Sequence, residues 1–377
     1  MTLNSCSSPA AVGRKTVFSP GMKKFRFAAG MLLLSSVFAA GGCSTDLDLN
    51  AEFVETPVLF GLLDIAEDTH FIRINRAFLK EGESALLLAR DPAEIYYGPG
   101  LQVRIEEYND DNLVSSKPLL LVNGDSLGRS KNLGAFAEVP NLLYRHVGVL
   151  NPDRTYRVVA EDPALDINVS AETEVLDNFS VVRPTPTPTL STSLSFASLA
   201  DYQVRWNNTP GAKVYELHMR FYIKNVDAGD VTVQLGDTIY DWRIFNQELV
   251  DNPNLATALD YDIPRPGFYS FLRAAANPEP GVIRIVDSVD FQFYAGDQEL
   301  YNYLLFGSSQ LGITADQISA TYTNVDGGLG LLASRHLATT PKYKFNNQTL
   351  DSIACGSITG GLNYAASGDS PFYPFCP

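Results

Sequence analysis

Tyr215-Glu216-Leu217-His218-Met219-Arg220-Phe221-Tyr222-Ile223 is the stretch that decides the fold class. Tyr215, Leu217, Met219, Phe221 and Ile223 fall on one side of an extended chain, with Glu216, His218 and Arg220 on the other. Apolar residues at every second position fit a strand with one buried and one wet face. Just upstream, Tyr202, Val204 and Trp206 alternate with Gln203 and Arg205, and Asn207-Asn208-Thr209-Pro210-Gly211 supplies the turn between the two strands. Downstream, Pro266-Gly267 followed by Phe268–Ala276 predicts a helix, Gly281–Tyr294 a strand, and Asp297–Phe306 a helix capped by Asp297. Residues 190–377 are expected to form an α+β domain, a sandwich-like core with helical insertions.

Residues 55–182 read as a second β-sandwich domain. Pro57–Leu63 is an apolar strand. Thr69–Phe78 alternates Ile72 and Ile74 with Arg73 and Asn75, and Leu101, Val103 and Ile105 alternate with Gln102, Arg104 and Glu106. Tyr156–Ala160 and Ile167–Ala171 complete the series, and Asn123-Gly124-Asp125 and Asn151-Pro152-Asp153 are turn signals. A short helix is expected around Ser84–Tyr97. Between the domains, Arg183-Pro184-Thr185-Pro186-Thr187-Pro188-Thr189 alternates proline with other residues, which excludes a central strand and favours an extended spacer over 183–189.

The amino-terminal region sets an expected address. Lys23, Lys24 and Arg26 precede an apolar run from Phe27 to Ala40, which is followed by Gly41-Gly42-Cys43. A run of about 14 residues is too short to span a bilayer as a helix but suits the core of a secretory signal. Cys43 after small residues looks like a bacterial lipoprotein signal, so residues 1–42 are read as a signal peptide, Cys43 as the lipidated residue and 43–54 as a tether. Ala40 stands where such signals usually carry Leu, and the alternative is an ordinary cut after Gly41. Residues 1–21 read either as sequence ahead of a true start at Met22 or as a long basic leader.

Charge narrows the partners. The chain carries 43 acidic and 28 basic residues, net −15. Residues 1–42 hold five basic and no acidic ones, so a chain beginning at Cys43 has a net charge of −20. That field disfavours nucleic acid. Cys355 and Cys376 are expected to form a disulfide in an oxidising compartment.

Two resemblances carry fold and location further. Trp206, the Pro210-Gly211 turn and the strand from Tyr215 resemble the B and C strands of fibronectin type III domains. Gly61-Leu62-Leu63, His70–Leu79, Pro140-Asn141, Ala171-Glu172-Thr173, Tyr322-Thr323-Asn324 and Gly327-Gly328-Leu329-Gly330 resemble an uncharacterised family of Bacteroidota lipoproteins with immunoglobulin-like folds. The likeness implies a mainly β protein: an immunoglobulin-like sandwich, then a fibronectin type III-like sandwich with helical insertions. It also implies an outer-membrane setting, often near TonB-dependent transporters, and supplies no catalytic residues to carry over. The acidic run expected after the cysteine of surface-exported lipoproteins is reduced here to Asp46 and Asp48 around Leu47, leaving the membrane face open.

Catalytic spacing is thin. Gly328-Leu329-Gly330-Leu331-Leu332-Ala333 matches the dinucleotide fingerprint as a string, but that motif needs a strand before it and a helix after it, and a glycine turn is the expected structure. His70, His146, His218 and His336 lie far apart. His70 falls in phase with Ile72 and Ile74, as for a buried imidazole at a strand start, and His218 faces outward between Glu216 and Arg220. Asp260-Tyr261-Asp262, Glu106-Glu107 and Asp110-Asp111 read as solvated charge rather than hydrolase acids or a calcium loop. Gly307-Ser308-Ser309 and Gly356-Ser357-Ile358-Thr359-Gly360 lack the spacing of a nucleophile elbow. Tyr294, Tyr301, Tyr303 and Phe372-Tyr373-Pro374-Phe375 could stack on sugars or a partner, or fill the second core.

No catalytic, cofactor or metal residues are assigned. The expected function is a non-enzymatic outer-membrane lipoprotein, held to the membrane by its lipid and acting as a binding or assembly component beside a TonB-dependent transporter or other outer-membrane protein. The alternatives are an envelope hydrolase acting on glycan or peptidoglycan and a structural or adhesive surface subunit.

Overall fold

A computed structural model describes residues 56–77, 84–189, 192–197, 199–250, 257–309 and 322–367. The protein is mainly β, 47% strand and 15% helix, with several sheets and no barrel.

In chain order the strands of the first half are β1 Pro57–Leu63, β2 Thr69–Arg76, β3 Gln102–Asn109, β4 Asn112–Pro118, β5 Leu120–Asn123, β6 Leu142–Val147, β7 Thr155–Asp162, β8 Ile167–Glu174 and β9 Val181–Arg183. They continue as β10 Ser193–Leu194, β11 Tyr202–Asn207, β12 Val214–Asp227, β13 Gln234–Leu249 and β14 Ala258–Ile263. The last are β15 Val282–Gly296, β16 Val325–Asp326, β17 Leu329–Thr339 and β18 Lys344–Phe345. The helices are α1 Ala85–Leu88, α2 Pro92–Ile95, α3 Arg265–Ala275, α4 Gln298–Ser309 and α5 Asn347–Cys355.

One eight-stranded sheet, ordered β13-β12-β15-β17-β1-β2-β6-β5, runs through the molecule. Its distinctive join is the parallel pairing of β17 with β1, from Val58↔Leu329 to Leu63↔Ser334. Gly330 makes that join. Its φ is 118°, and a Cβ there would lie 1.9 Å from the Leu59 carbonyl oxygen, so only glycine lets the two backbones meet. In the string Gly328–Ala333, only Gly328 precedes β17 and Leu329–Ala333 are its first residues, so the helix a dinucleotide fold needs is replaced by strand.

Two cores lie on the same side of this sheet. The first gathers Leu59, Leu63, Ile72 and Ile74 from β1 and β2 with Val103, Ile105, Val158 and Val169 from the five-stranded sheet β16-β8-β7-β3-β4. The second is aromatic. Tyr215, Leu217, Met219, Phe221 and Ile223, the decisive alternating set, are 0–1% exposed and pack with Trp206, Phe268, Phe291 and Phe293. Phe196 stacks on Phe268 at 4.1 Å and Trp206 meets Tyr215 at 5.4 Å. Each such ring contributes about 2–3 kcal/mol on burial. The Tyr215 hydroxyl donates to Asn208 Oδ1 at 3.0 Å and accepts from the Thr209 N–H at 3.1 Å, pinning the turn read at 207–211.

The expected split into successive domains at 183–189 needs correction. Val325 and Leu332, from the carboxy-terminal half, belong to the first core, and β16 pairs with β8 while β17 pairs with β1. The described residues fall within one compact unit, Phe53–Pro377. The proline stretch is also held down: β9 pairs with β11, and the Tyr343 hydroxyl donates to the Thr185 carbonyl at 2.6 Å. Asp297 locks the seam between the cores. It caps α4 by accepting from the Leu300 N–H at 2.8 Å, and it takes the Ser334 N–H at 2.6 Å and the Thr173 hydroxyl at 2.9 Å. Burial pushes its carboxyl up to about 6.

The helix expected at Ser84–Tyr97 is two short pieces. Asp91 caps the second through the Ala93 N–H, and Pro92, lacking an N–H, starts it. α3 begins three residues ahead of the expected Phe268, with Pro266 in its first turn.

Candidate functional site

The outer face of the eight-stranded sheet, opposite the cores, divides into two halves. Register places Leu331, Phe60 and Arg73 side by side across β17, β1 and β2. In β1 the alternation puts Leu59 and Leu63 in the core and leaves Phe60 and Leu62 outward, 37% and 38% exposed. In β2, Ile72 and Ile74 face the core, whereas Phe71, Arg73 and Asn75 face out. α4 follows β15 directly and lays Leu300, Tyr303 and Leu304 along this face, with the Tyr303 ring edge-on to Phe60 at 5.9 Å.

These elements enclose a groove of about 460 Å³, with Arg129 and Arg335 on its walls and Asp64, Glu67, Thr69 and His70 at one end. A second hollow of about 490 Å³ shares Phe60 and Arg73 as a wall and continues past Tyr96 and Lys131 to Phe136. Asn141, almost fully buried, braces the site. Its Oδ1 accepts from Arg73 Nη2 at 2.8 Å, and its Nδ2 donates to the Arg129 carbonyl at 2.5 Å. The Arg129 guanidinium lies over the Phe71 ring at 4.4 Å. Lys131 Nζ donates to the Tyr96 hydroxyl at 3.0 Å and the Pro140 carbonyl at 3.2 Å. Among the described residues, Arg73, Arg129 and Arg335 form no ion pair.

The acids of the groove are differently placed. Asp64 is buried and accepts from the Ala66 N–H at 3.0 Å, with His336 Nδ1 also 3.0 Å away. Burial alone would raise its carboxyl, but the His336 hydrogen bond and the Ala66 N–H outweigh it and hold the group below the usual range. Glu67 is exposed at the rim. At this end of the groove, His70 stacks on His146 at 5.9 Å. Burial lowers both, His146 to about 4, so this pair is neutral near pH 7.

The other half of the face is a closed polar network on β12, β13 and β15. Arg220 reaches Asp290 through two hydrogen bonds of 3.0 Å, and the Tyr222 hydroxyl donates to the same carboxylate at 2.7 Å. His218 has Asp241 at 2.7 Å on Nδ1 and Glu216 at 2.5 Å on Nε2, while Arg243 holds Glu216 at 2.9 Å. Lys224 pairs with Asp287 at 2.6 Å.

The residues singled out from sequence are dispersed. His70 is buried at the start of β2 and His218 faces outward, as their phase indicated. Asp260 pairs with Arg205 at 3.4 Å; Glu106 is held by Arg104 and Tyr108, and Glu107 by Ser115. Asp110 and Asp111 form the β3–β4 turn. Tyr303 joins the groove, Tyr294 belongs to the polar half, and Lys213 sits 5.9 Å over Tyr301. Cys355 ends α5, and its expected partner Cys376 lies outside the described residues, as do Cys43, the signal, the tether and Phe372–Phe375. Among the described residues, no group of three His, Cys, Asp or Glu could hold a metal ion, and no helix is long and apolar enough to cross a membrane.

Residues 48–340 match the sequence profile of the Domain of unknown function (DUF4249) family. The chain belongs to that family. The matched span takes in β1 through β17, and so the groove, the polar network and the Gly330 join alike. No curated protein matches the chain.

Proposed function

We propose that this DUF4249 chain is a non-enzymatic, lipid-anchored protein of the outer membrane that binds a ligand or partner through the groove over β1, β2 and β17, in the service of an adjacent TonB-dependent transporter. The observation that supports binding is the groove itself, where apolar side chains share one concave surface with arginines that form no ion pair among the described residues. Grooves of this size suit small-molecule recognition. The signal-like segment ending at Cys43 supports the anchor, and several acyl chains there would hold the protein stably. We read the first core, built between two sheets, as an immunoglobulin-like sandwich, and the Trp206–Tyr215 region as fibronectin type III-like. The Cys355–Cys376 bridge belongs to the same proposal, as fits an exported chain.

The test is metabolic labelling with a radioactive fatty acid, followed by fractionation and affinity capture of the full chain from detergent-solubilised envelopes. The expected result is label in the outer-membrane fraction, lost in Cys43→Ser, with a TonB-dependent transporter recovered reproducibly. An unlabelled protein in the cytosol, or turnover of a glycan substrate by the purified chain, would overturn it.

A further inference from the structure

We infer that the groove takes a small anionic ligand with a flat apolar body. The inference rests on the groove being a binding surface and adds the chemical class of what it binds. Three observations converge on it.

The first is charge. In a chain of net −15, carboxylates outnumber cations, and Arg104, Arg154, Arg205, Arg220, Arg243 and Arg284 each stand within 4 Å of one. Arg73, Arg129 and Arg335 line a single cavity, yet none forms an ion pair with a described residue. Of the two acids lining the groove, Asp64 is buried and hydrogen-bonded to His336 and the Ala66 N–H, with Arg335 near enough for its charge to be felt. Glu67 is exposed at the rim, so the three arginines still outnumber the acids. Guanidinium groups present flat forks of donors that match carboxylate, sulfonate or phosphate oxygens. Arg73 is held in place by Asn141, and Arg129 by the Phe71 ring, so two of the three are pre-positioned.

The second is the apolar strip beside them. Phe60, Leu62 and Leu304 are each more than a third exposed, and Tyr303 stands edge-on to Phe60. An inorganic anion would leave this strip wet, whereas a ring or short hydrocarbon would cover it. The volume of about 460 Å³ fits such a molecule.

The third is what the floor does not offer. β1 and β2 are interior strands, each bonded to neighbours on both sides, so no free backbone edge is available to an added peptide strand. Recognition here is by side chains alone.

Two fluorescent probes with the same kind of aromatic body test the inference on the full chain: anilinonaphthalene sulfonate, which is anionic, and phenylnaphthylamine, which is neutral. The sulfonate is expected to bind roughly tenfold more tightly than the neutral probe at low salt, with the gap closing as salt rises. Arg335→Gln, at an exposed side chain, is expected to lower sulfonate affinity severalfold without changing the neutral probe, and Arg335→Lys to restore part of it. Arg73→Gln should remove most of the remaining preference, and Leu62→Trp should weaken both probes by filling the strip. Equal affinity for the two probes, sulfonate binding indifferent to both arginine changes, or no binding of either probe would overturn the inference. Loss of this discrimination in a chain that is still acylated and still captures a transporter removes the ligand class alone. Discrimination in a chain that lacks the acyl group removes the envelope reading alone.

Discussion

The two halves of the outer sheet face carry similar residue types and treat them in opposite ways. On β12, β13 and β15, Arg220, Arg243, Lys224 and His218 each meet a carboxylate, so the charges answer one another within the fold. Around the groove, Arg73 on β2, Arg129 in the loop that follows β5 and Arg335 on β17 meet amide, ring and solvent instead. A satisfied network fixes the register of neighbouring strands; an unsatisfied one leaves donors for something outside the chain. The difference separates the part of the surface that holds the fold from the part that is free to bind.

The largest effect is expected under the groove half, at the pairing of β1 with β17. Gly330→Ala would set a Cβ against the Leu59 carbonyl at a φ of 118°, costing about 4 kcal/mol in urea unfolding. A cost below about 1 kcal/mol would mean that the β1–β17 pairing is looser than drawn.

Next comes the paired half. Asp290 is buried and serves Arg220 and Tyr222 together, so Asp290→Ala should cost about 3 kcal/mol.

A pH series sharpens the contrast from the core side of the groove. His146 is depressed to about 4 by burial, then by the neighbouring His70. Its neutral form is the one the fold accepts, so its contribution is complete above the unfolded value near 6.5 and is lost as pH falls toward 4. The expected loss is roughly 2 kcal/mol, and His146→Leu should flatten that slope. Asp297 acts in the opposite sense. Raised to about 6, it favours the fold most in acid and loses that contribution as pH rises from the ordinary carboxylate value through about 6. The acid slope of an Asp297→Asn variant should therefore be steeper than that of the wild type.

A smaller loss is expected from His218→Ala, about 1 kcal/mol, because Glu216 keeps Arg243 when the imidazole is gone.

The strand content was legible wherever one face is buried and the other wet. The alternation from Tyr215 to Ile223 became β12, and Trp206 and the 207–211 turn took their expected places. Asp297 was readable as a cap because the acid precedes an apolar helical run, but nothing local shows that it also ties Thr173 and Ser334 across the seam. β17 was hidden. Its glycines read as a turn, and its partner β1 lies at the far end of the chain, a pairing that leaves no periodic trace in either segment. The same distance concealed the groove, whose walls come from β1, β2, β17, α4 and the loop at Arg129. One signal was present: Pro57–Leu63 is apolar on both faces, more than a half-wet strand requires. Leu59 and Leu63 account for the core, and Phe60 and Leu62 are the surplus that marks the groove.

The contrast between the halves is tested most directly by a matched pair of charge removals read in one urea titration. Arg220→Gln should cost about 2 kcal/mol, because it strands Asp290, whereas Arg335→Gln should change stability by less than about 0.5 kcal/mol. Equal losses from the two would contradict the division of this sheet face into a structural half and a binding half.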